Sequence, residues 1–388
     1  MPMTRPTKRS PTCSGAGSSM GWSDPTCLGW TPADWRTWFS TRGRPGFRGD
    51  QVFTWIHRFG VTDPSAMTNL SKDLREELAR ELVWSGPLSV ERVQRSVDGS
   101  IKFGFGTADG HLIESVLIPG SGRDRRKYTV CVSSQIGCAL GCTFCATATM
   151  GFLRDLSASE IVAQIHEILR FMAAEPDSWD LGERPRTQWL TNIVYMGMGE
   201  PLLNLPAVLQ SVAVLSDPAG LDFSSRRITI STAGWVPGLR ELAGHPDFAG
   251  QLAISLHACD DGIRTRLMPV NRRFPLADLR EALLEFPLPA RRRITMEYIL
   301  LADVNDSPAH ARALVRFCSG LRVKINLIPY HAYGPASQFS ASPPARKAAF
   351  TELLQASGLT VIERSSAGAD IDAACGQLAS SERSREPQ

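Results

Sequence analysis

The sequence predicts an α/β fold in which a parallel sheet, open or curled into a partial (β/α)6 barrel, follows a small helical domain and a short β-meander. Three observations carry that expectation. From residue 128 onward, strand-like segments at 129–133, 192–196, 227–231, 252–256, 295–300, 324–328 and 360–363 alternate with helical stretches. Repeated βα units of this kind favour parallel pairing. Between 88 and 119, alternating residues are punctuated by Asp98-Gly99 and Asp109-Gly110, both strong hairpin signals. Ahead of them, 31–84 places its apolar residues at helical spacing.

In chain order, residues 1–30 are rich in Pro, Ser, Thr and Gly and read as a disordered tail. Met1 to Pro11 is basic with no apolar core behind it, so it is not a secretory signal. Cys13 and Cys27 fall in the tail with no histidine near them and read as incidental. The helical domain spans 31–86. Thr31 followed by Pro32 and Asp34 is a helix start. Val52, Phe53 and Ile56 share one face of the next helix, and Ser71 precedes Leu74 and Leu78. The meander occupies 87–127 and the barrel 128–380. The clearest barrel helix follows Ser157 and Glu160, a capping-box pair, and carries Ile161, Val162, Ile165, Ile168, Leu169 and Met172 on one face. A mobile loop is expected at 332–344 and a second disordered tail at 381–388.

Composition narrows the function. The chain has 388 residues, 42 basic against 39 acidic, and a net charge of +3. A global basic field is absent, so any nucleic-acid surface must come from local clusters. Four are visible: Arg123, Arg125, Arg126 and Lys127; Arg226 and Arg227; Arg272 and Arg273; and Arg291, Arg292 and Arg293. Nine cysteines in a chain this long do not make a secreted disulfide scaffold. A reducing cytoplasm, with thiols used for metal or chemistry, fits better. No apolar run approaches the roughly 18 residues of a membrane helix.

The central motif is Cys131-Val-Ser-Ser-Gln-Ile-Gly-Cys138-Ala-Leu-Gly-Cys142-Thr-Phe-Cys145. Thiolates at C-x3-C-x2-C spacing on a glycine-containing loop can all reach one centre, and sulfur donors suit iron–sulfur clusters or zinc. Zinc would want a fourth ligand, which Cys131 could supply, and so would a four-cysteine electron-transfer cluster. A 4Fe–4S cluster held by three cysteines leaves one iron free to chelate S-adenosylmethionine (SAM). The spacing, with an aromatic before the last cysteine, marks the radical SAM superfamily.

Four other polar candidates sit on these strands, three at or just beyond a strand end, where active sites of parallel barrels gather, and Asn326 within the sixth. They are Gly197-Met-Gly199-Glu200-Pro201, Ser231-Thr-Ala-Gly234, Ser255-Leu256-His257 and Asn326. Each has a blander reading: a tight turn for the first, a hydrogen-bonded core histidine for His257, satisfied buried polar groups for Ser231 and Asn326. Together with the cluster they read as SAM contacts, with Gly199 and Glu200 receiving the ammonium group.

The sequence resembles the RlmN/Cfr family of radical SAM RNA adenine methyltransferases. The cysteine motif carries the resemblance. So do Met196-Gly-Met-Gly-Glu-Pro-Leu-Leu-Asn204, Arg226-Arg-Ile-Thr-Ile-Ser-Thr232, Ile254-Ser-Leu-His-Ala258, Lys324-Ile-Asn-Leu-Ile-Pro329 and Asp370-Ile-Asp-Ala-Ala-Cys-Gly-Gln-Leu378. It reaches upstream to Gln51-Val-Phe-Thr-Trp-Ile-His57 and Met67-Thr-Asn-Leu-Ser-Lys72.

The resemblance implies a radical SAM partial barrel, a 4Fe–4S cluster on Cys138, Cys142 and Cys145, and two SAM molecules per turnover. It makes Cys375 the methyl carrier, Cys131 the resolving thiol that forms a disulfide with it, and Glu114 the proton acceptor. It implies 23S ribosomal RNA and position 37 of some transfer RNAs as substrates, and a reductant such as flavodoxin. A monomer in the cytoplasm is expected. Gly199-Glu-Pro-Leu-Leu-Asn204 and Leu327-Ile-Pro-Tyr330 resemble the members that methylate adenine carbon 2 rather than carbon 8. Asp370 and Asp372 are expected to raise the Cys375 thiol pKa, so that a nearby cation or the sulfonium of SAM has to offset them.

Overall fold

The computed structural model describes residues 26–120, 126–245, 248–332, 338–364 and 367–378. The expected mobile loop at 332–344 is described only in part, and Cys13, Arg123, Arg125 and the tail 381–388 lie outside the described residues.

Three helices come first: α1 (Pro32–Ser40), α2 (Phe47–His57) and α3 (Lys72–Glu81). Thr31 and Asp34 form a reciprocal capping box at α1, a device worth about 1 kcal/mol. Val52, Phe53, Ile56, Leu74 and Leu78 are buried as their spacing predicts. Segment 26–30, expected in the tail, is instead packed. Cys27, Leu28 and Trp30 are buried, and Gly29 donates to Ser159 Oγ at 2.9 Å. A Cβ on Gly29 would stand 2.5 Å from the Ser159 amide nitrogen, so only glycine permits the approach. Apolar side chains within a Gly/Ser/Pro-rich stretch are what bring this end of the tail into the fold.

The meander strands β1 (Leu88–Arg95), β2 (Ile101–Thr107) and β3 (Leu112–Pro119) are antiparallel, turning at Asp98-Gly99 and Asp109-Gly110. The meander is not a separate unit, because β3 pairs antiparallel with the first barrel strand, β4 (Tyr128–Cys131). After β4 come β5 (Gln135–Gly137), α4 (Ala146–Thr149), β6 (Phe152–Asp155) and α5 (Ala158–Ala174). Then β7 (Asn192–Tyr195), α6 (Leu205–Ser216), β8 (Ile228–Thr232), α7 (Val236–Gly244) and β9 (Gln251–Ser255) follow. The chain finishes with α8 (Asp261–Leu267), α9 (Leu276–Glu285), β10 (Ile294–Leu300), α10 (Pro308–Cys318), β11 (Val323–Pro329), α11 (Pro344–Ala356) and β12 (Val361–Glu363).

One ten-stranded sheet runs β1-β2-β3-β4-β7-β8-β9-β10-β11-β12, parallel from β4 to β12. All seven expected barrel strands are present, and the sheet remains open between β1 and β12. The β5–β6 hairpin forms a second sheet that the sequence did not suggest; segments of three and four residues are too short to show a period. Helix α5 bears the Ser157–Glu160 capping box and buries its whole predicted apolar face.

Candidate active site

The cysteine loop leaves the C-terminal end of β4 and passes through the β5–β6 hairpin. Gly137 has φ +74°, and a Cβ there would lie 1.8 Å from the Gly151 carbonyl oxygen. The Cys138 amide donates to that same oxygen at 2.8 Å, and the Thr143 amide donates to Leu267 O at 2.9 Å. These bonds fix the loop between the hairpin and the end of α8.

Burial pushes all three thiols up: Cys138 to about 12, with Cys142 and Cys145 also raised. Cys138 and Cys142 each feel Cys145, and Cys142 also feels Cys138. Such a trio is costly as bare thiolates and calls for compensating positive charge. Among the described residues no three His, Cys, Asp or Glu converge as a single-ion site. The donor set is all sulfur, which suits an iron–sulfur cluster or zinc.

The SAM-contact candidates line the adjoining strand ends. Gly199 has φ +101°, and a Cβ there would be 2.5 Å from that of Gln135. Glu200 is buried, with its two carboxylate oxygens accepting from the Leu202 amide at 3.1 Å and the Ala233 amide at 2.8 Å. Burial raises its pKa to about 7. The carboxylate therefore clamps the ends of β7 and β8 before it meets any ligand. Ser231 is buried on β8, and Leu256 is fully buried just beyond β9.

His257 has φ +57°, an uncommon conformation for a side-chain-bearing residue. Its carbonyl accepts from Asn305 Nδ2 at 2.7 Å, and its Nδ1 accepts from the Ile299 amide at 3.1 Å. That leaves the proton on Nε2, and burial lowers the ring pKa to about 3. Phe144 of the cysteine loop packs edge-to-face on this ring, 4.8 Å between centroids. Ser255, Glu297 and Asn326 stand side by side across β9, β10 and β11. Asn326 Nδ2 donates to Glu297 Oε1 at 2.9 Å, while its buried Oδ1 has no partner. A buried, unengaged acceptor is what a polar ligand would satisfy.

Cys131 ends β4, buried, and Cys375 lies in the last described segment. That segment is tied at both ends. Asp370 accepts from Ser96 Oγ at 2.5 Å and the Val97 amide at 3.1 Å, and the Gly368 amide donates to Asp98 Oδ2. At the other end, Gly376 O accepts from the Ala146 amide at 2.6 Å, and Thr147 Oγ1 donates to Leu378 O at 2.6 Å. Cys375 is thereby set against the cysteine loop, within electrostatic reach of Cys131 and Cys145. Cys375 is exposed at its surface, yet the protein packed around it pushes the thiol pKa up, with Glu297 adding to the shift and Arg364 opposing it.

The expectation about Asp370 and Asp372 is therefore corrected. The Asp370 carboxylate is turned onto the meander, and the acid acting on Cys375 is Glu297. Arg364 acts in the lowering sense, but the net shift of the thiol remains upward. Glu114, on β3, is buried and pairs with Lys102 Nζ at 3.3 Å, while Lys102 also donates to the Asp372 carbonyl at 3.2 Å. The described cysteines, Cys131 and Cys375 included, all carry free thiols.

A family profile described as the ribosomal RNA large subunit methyltransferase N-terminal domain matches residues 27–83. The chain is 45% identical to the dual-specificity RNA methyltransferase RlmN of Syntrophobacter fumaroxidans, over 92% of this chain and 98% of that protein. It is likewise 45% identical to that of Sorangium cellulosum, over 89% and 93%. The chain belongs to the RlmN family. The fold agrees, with a TM-score of 0.80 and 42% identity to a radical SAM methyltransferase from Sphaerobacter thermophilus, covering 91% of this chain and 98% of that one. This RlmN-family chain is an RNA methyltransferase of the radical SAM class, and that class uses a 4Fe–4S cluster and SAM.

Three site residues escaped sequence reasoning: Glu297, Arg364 and Arg264. Arg264 is fully buried and donates to the carbonyls of Leu256 at 3.2 Å and Ala233 at 2.7 Å, and to Asn271 Oδ1 at 2.8 Å. Burial lowers its pKa to about 10, while Cys142 acts in the opposite sense. It knits the strand ends that carry Ser255, Leu256 and His257.

The basic clusters divide. Arg226 and Arg227 precede β8 and Arg291–Arg293 precede β10, at the strand ends away from the site. Arg292 and Arg293 bond there to Gly250 O and Thr360 Oγ1. Arg273, beyond β9, stacks over Trp235 and Phe274 on the site side.

Proposed function

We propose that this enzyme methylates carbon 2 of an adenine in 23S ribosomal RNA, and of position 37 in some transfer RNAs, through an S-methylcysteine at Cys375. The observation that carries this reading is the docked segment 368–378, whose bonds to Ala146 and Thr147 set Cys375 against the cysteine loop. An adenine ring carbon is a poor nucleophile, so direct transfer from an electrophilic methyl donor is unfavourable. A thiol that first receives the methyl group, beside a radical source, solves that problem.

In this reading Cys138, Cys142 and Cys145 hold the 4Fe–4S cluster. Gly199, Glu200, Ser231, Ser255, Leu256, His257 and Asn326 hold SAM. When bound, the pair supplies the 5′-deoxyadenosyl radical. Cys375 carries the methyl group to the adenine, Glu114 takes the proton lost from carbon 2, and Cys131 closes a transient disulfide that frees the product. Burial and the Lys102 ion pair keep Glu114 fixed on β3. The adenine must leave its stack for its carbon 2 to meet the thiol, which favours unpaired RNA.

The remaining parts of the reading rest on family likeness: a flavodoxin-type reductant, a monomer, and a cytoplasmic location. Among the described residues no helix is long and apolar enough to cross a membrane. We divide the chain into an accessory helical domain at 31–86, the meander at 87–127 and the barrel at 128–380, with segment 26–30 joined to the helical part.

Nucleoside mass spectrometry after anaerobic incubation with ribosomal RNA, SAM and a reductant is the test. 2-Methyladenosine is expected, and 8-methyladenosine would reassign the enzyme to carbon 8.

A further inference from the structure

One group of side chains at the site end of the barrel has no role in the assignments above. Trp235 follows the turn beyond β8, and Arg273 and Phe274 follow a single 3₁₀ turn, Pro269–Arg272, beyond α8. The Arg273 guanidinium sits over the Trp235 ring, 4.9 Å from its centroid, and 5.4 Å from the centroid of Phe274. The two rings meet edge-to-face, 5.1 Å apart. These separations lie within cation–π range, and the contact holds a flexible side chain in one place.

The trio borders the cysteine loop. Trp235 and Phe274 pack against the same buried cluster as Cys138, Cys142 and Phe144, a cluster that includes Leu140, Leu267 and Met268. The bond from the Thr143 amide to Leu267 O ties the loop to the same stretch of chain. Trp235 and Phe274 are half-buried, whereas Arg273 is exposed. Among the described residues the Arg273 guanidinium has neither an acidic partner nor a hydrogen bond. Arg266 and Arg272 are exposed beside it. The nearby acids Asp260 and Asp261 are engaged locally, Asp260 by the Ile263 amide and Asp261 by Asn271 Nδ2 and the Leu276 amide.

We propose that Arg273, seated on Trp235, is a platform on which an unpaired nucleotide flanking the target adenine stacks. The proposal rests on the reading of 23S ribosomal RNA as substrate for its choice of RNA. An adenine that leaves its stack strips its neighbours of a stacking partner, and they need a substitute surface. A guanidinium with one face on an indole offers its other face to a base. Its N–H edge can meet the adjoining phosphate. A lysine would bring the charge but no plane.

The test measures binding of deproteinised 23S ribosomal RNA to the reconstituted holoenzyme across a salt series. Arg273→Ala is expected to weaken binding roughly tenfold and to flatten the logarithmic salt slope by about 0.7. Arg273→Lys is expected to keep the slope and still lose severalfold in affinity. Trp235→Ala is expected to weaken binding with the slope unchanged. The double variant should then be little worse than Arg273→Ala, because the indole acts through the guanidinium. SAM affinity, iron content and Cys375 methylation without RNA are expected to match wild type in both Arg273 variants. Wild-type RNA affinity in Arg273→Ala overturns the proposal. So does wild-type affinity in Arg273→Lys, which makes Arg273 a plain phosphate contact, and so do additive losses at the two positions. Weakened SAM binding in Arg273→Ala also overturns it, by moving the residue into the SAM site. A wild-type holoenzyme that binds this RNA yet forms no methyladenosine in it sinks the substrate reading instead, and the binding comparison still decides the platform.

Discussion

The Gly376 carbonyl accepts a hydrogen bond from the Ala146 amide at 2.6 Å. The partners are the residues immediately after Cys375 and Cys145. One backbone bond thus joins the segment of the proposed methyl carrier to the last cysteine of the cluster loop. Gly376 has φ +85°, and a Cβ there would meet Phe144 O at 3.2 Å. Gly376→Ala should undock this end of the segment at a cost of about 1–2 kcal/mol. Iron content should stay at the wild-type level while Cys375 methylation, read by mass spectrometry, drops roughly tenfold. Unchanged methylation would mean that this bond does not position the thiol.

Gly137 makes a different prediction. A Cβ 1.8 Å from Gly151 O cannot be accommodated without moving backbone. Gly137→Ala should break the Cys138–Gly151 bond and scatter the three thiols, so both iron stoichiometry and visible absorbance should fall. A fully loaded Gly137→Ala protein would refute the claim that the hairpin sets the cysteine loop.

The Lys102–Glu114 pair is buried on both sides, at 7% and 5% side-chain exposure. Removing one partner strands a charge, typically at about 3–5 kcal/mol. Lys102→Met should lower the melting temperature clearly, and Lys102→Met with Glu114→Gln should recover part of the loss. No recovery in the double variant would show that Lys102 acts mainly through the Asp372 carbonyl.

His57 and His166 meet Nδ1 to Nε2 at 3.1 Å between α2 and α5. Burial lowers the His57 pKa to about 3 and lowers that of His166 well below its usual value, and Arg186 pushes both the same way. The unfolded chain takes up protons below about pH 6.5, whereas the folded pair does not. Their stability contribution is therefore complete above that pH and is lost as pH falls toward 3. The limiting slope is about 1.4 kcal/mol per pH unit for each histidine. Melting temperature against pH should decline below 6.5, and more shallowly in His57→Gln. Equal slopes in the two proteins would assign the acid sensitivity elsewhere.

Much of this site was legible because its residues cluster along the chain. Cys138, Cys142 and Cys145 share one loop, and Ser255 to His257 share one strand end. Glu297 was not legible. It sits in Ile-Thr-Met-Glu-Tyr-Ile-Leu, where a single carboxylate reads as one solvated position on a strand, yet the whole strand is buried. Only the register across three strands places it beside Asn326. Arg264 carries no sequence signal for its role, because its partners are carbonyls at the ends of other strands. Segment 26–30 was misjudged by composition, since Gly29 reads as flexibility when its role is a close approach to Ser159. The hairpins and α5 succeeded because their Asp-Gly turns, capping box and apolar face all agree.

Anchoring segment 368–378 at two places has a mechanical consequence. One tether is the β1–β2 hairpin tip, through Ser96, Val97 and Asp98, and the other is α4, through Ala146 and Thr147. Between them the chain is coiled, through the turn at Ala369–Ile371 and the Gln377–Ala374 bond, so Cys375 has little slack of its own. The hairpin tip, far along the chain from any cysteine, is thus one of the two supports that fix where the thiol sits.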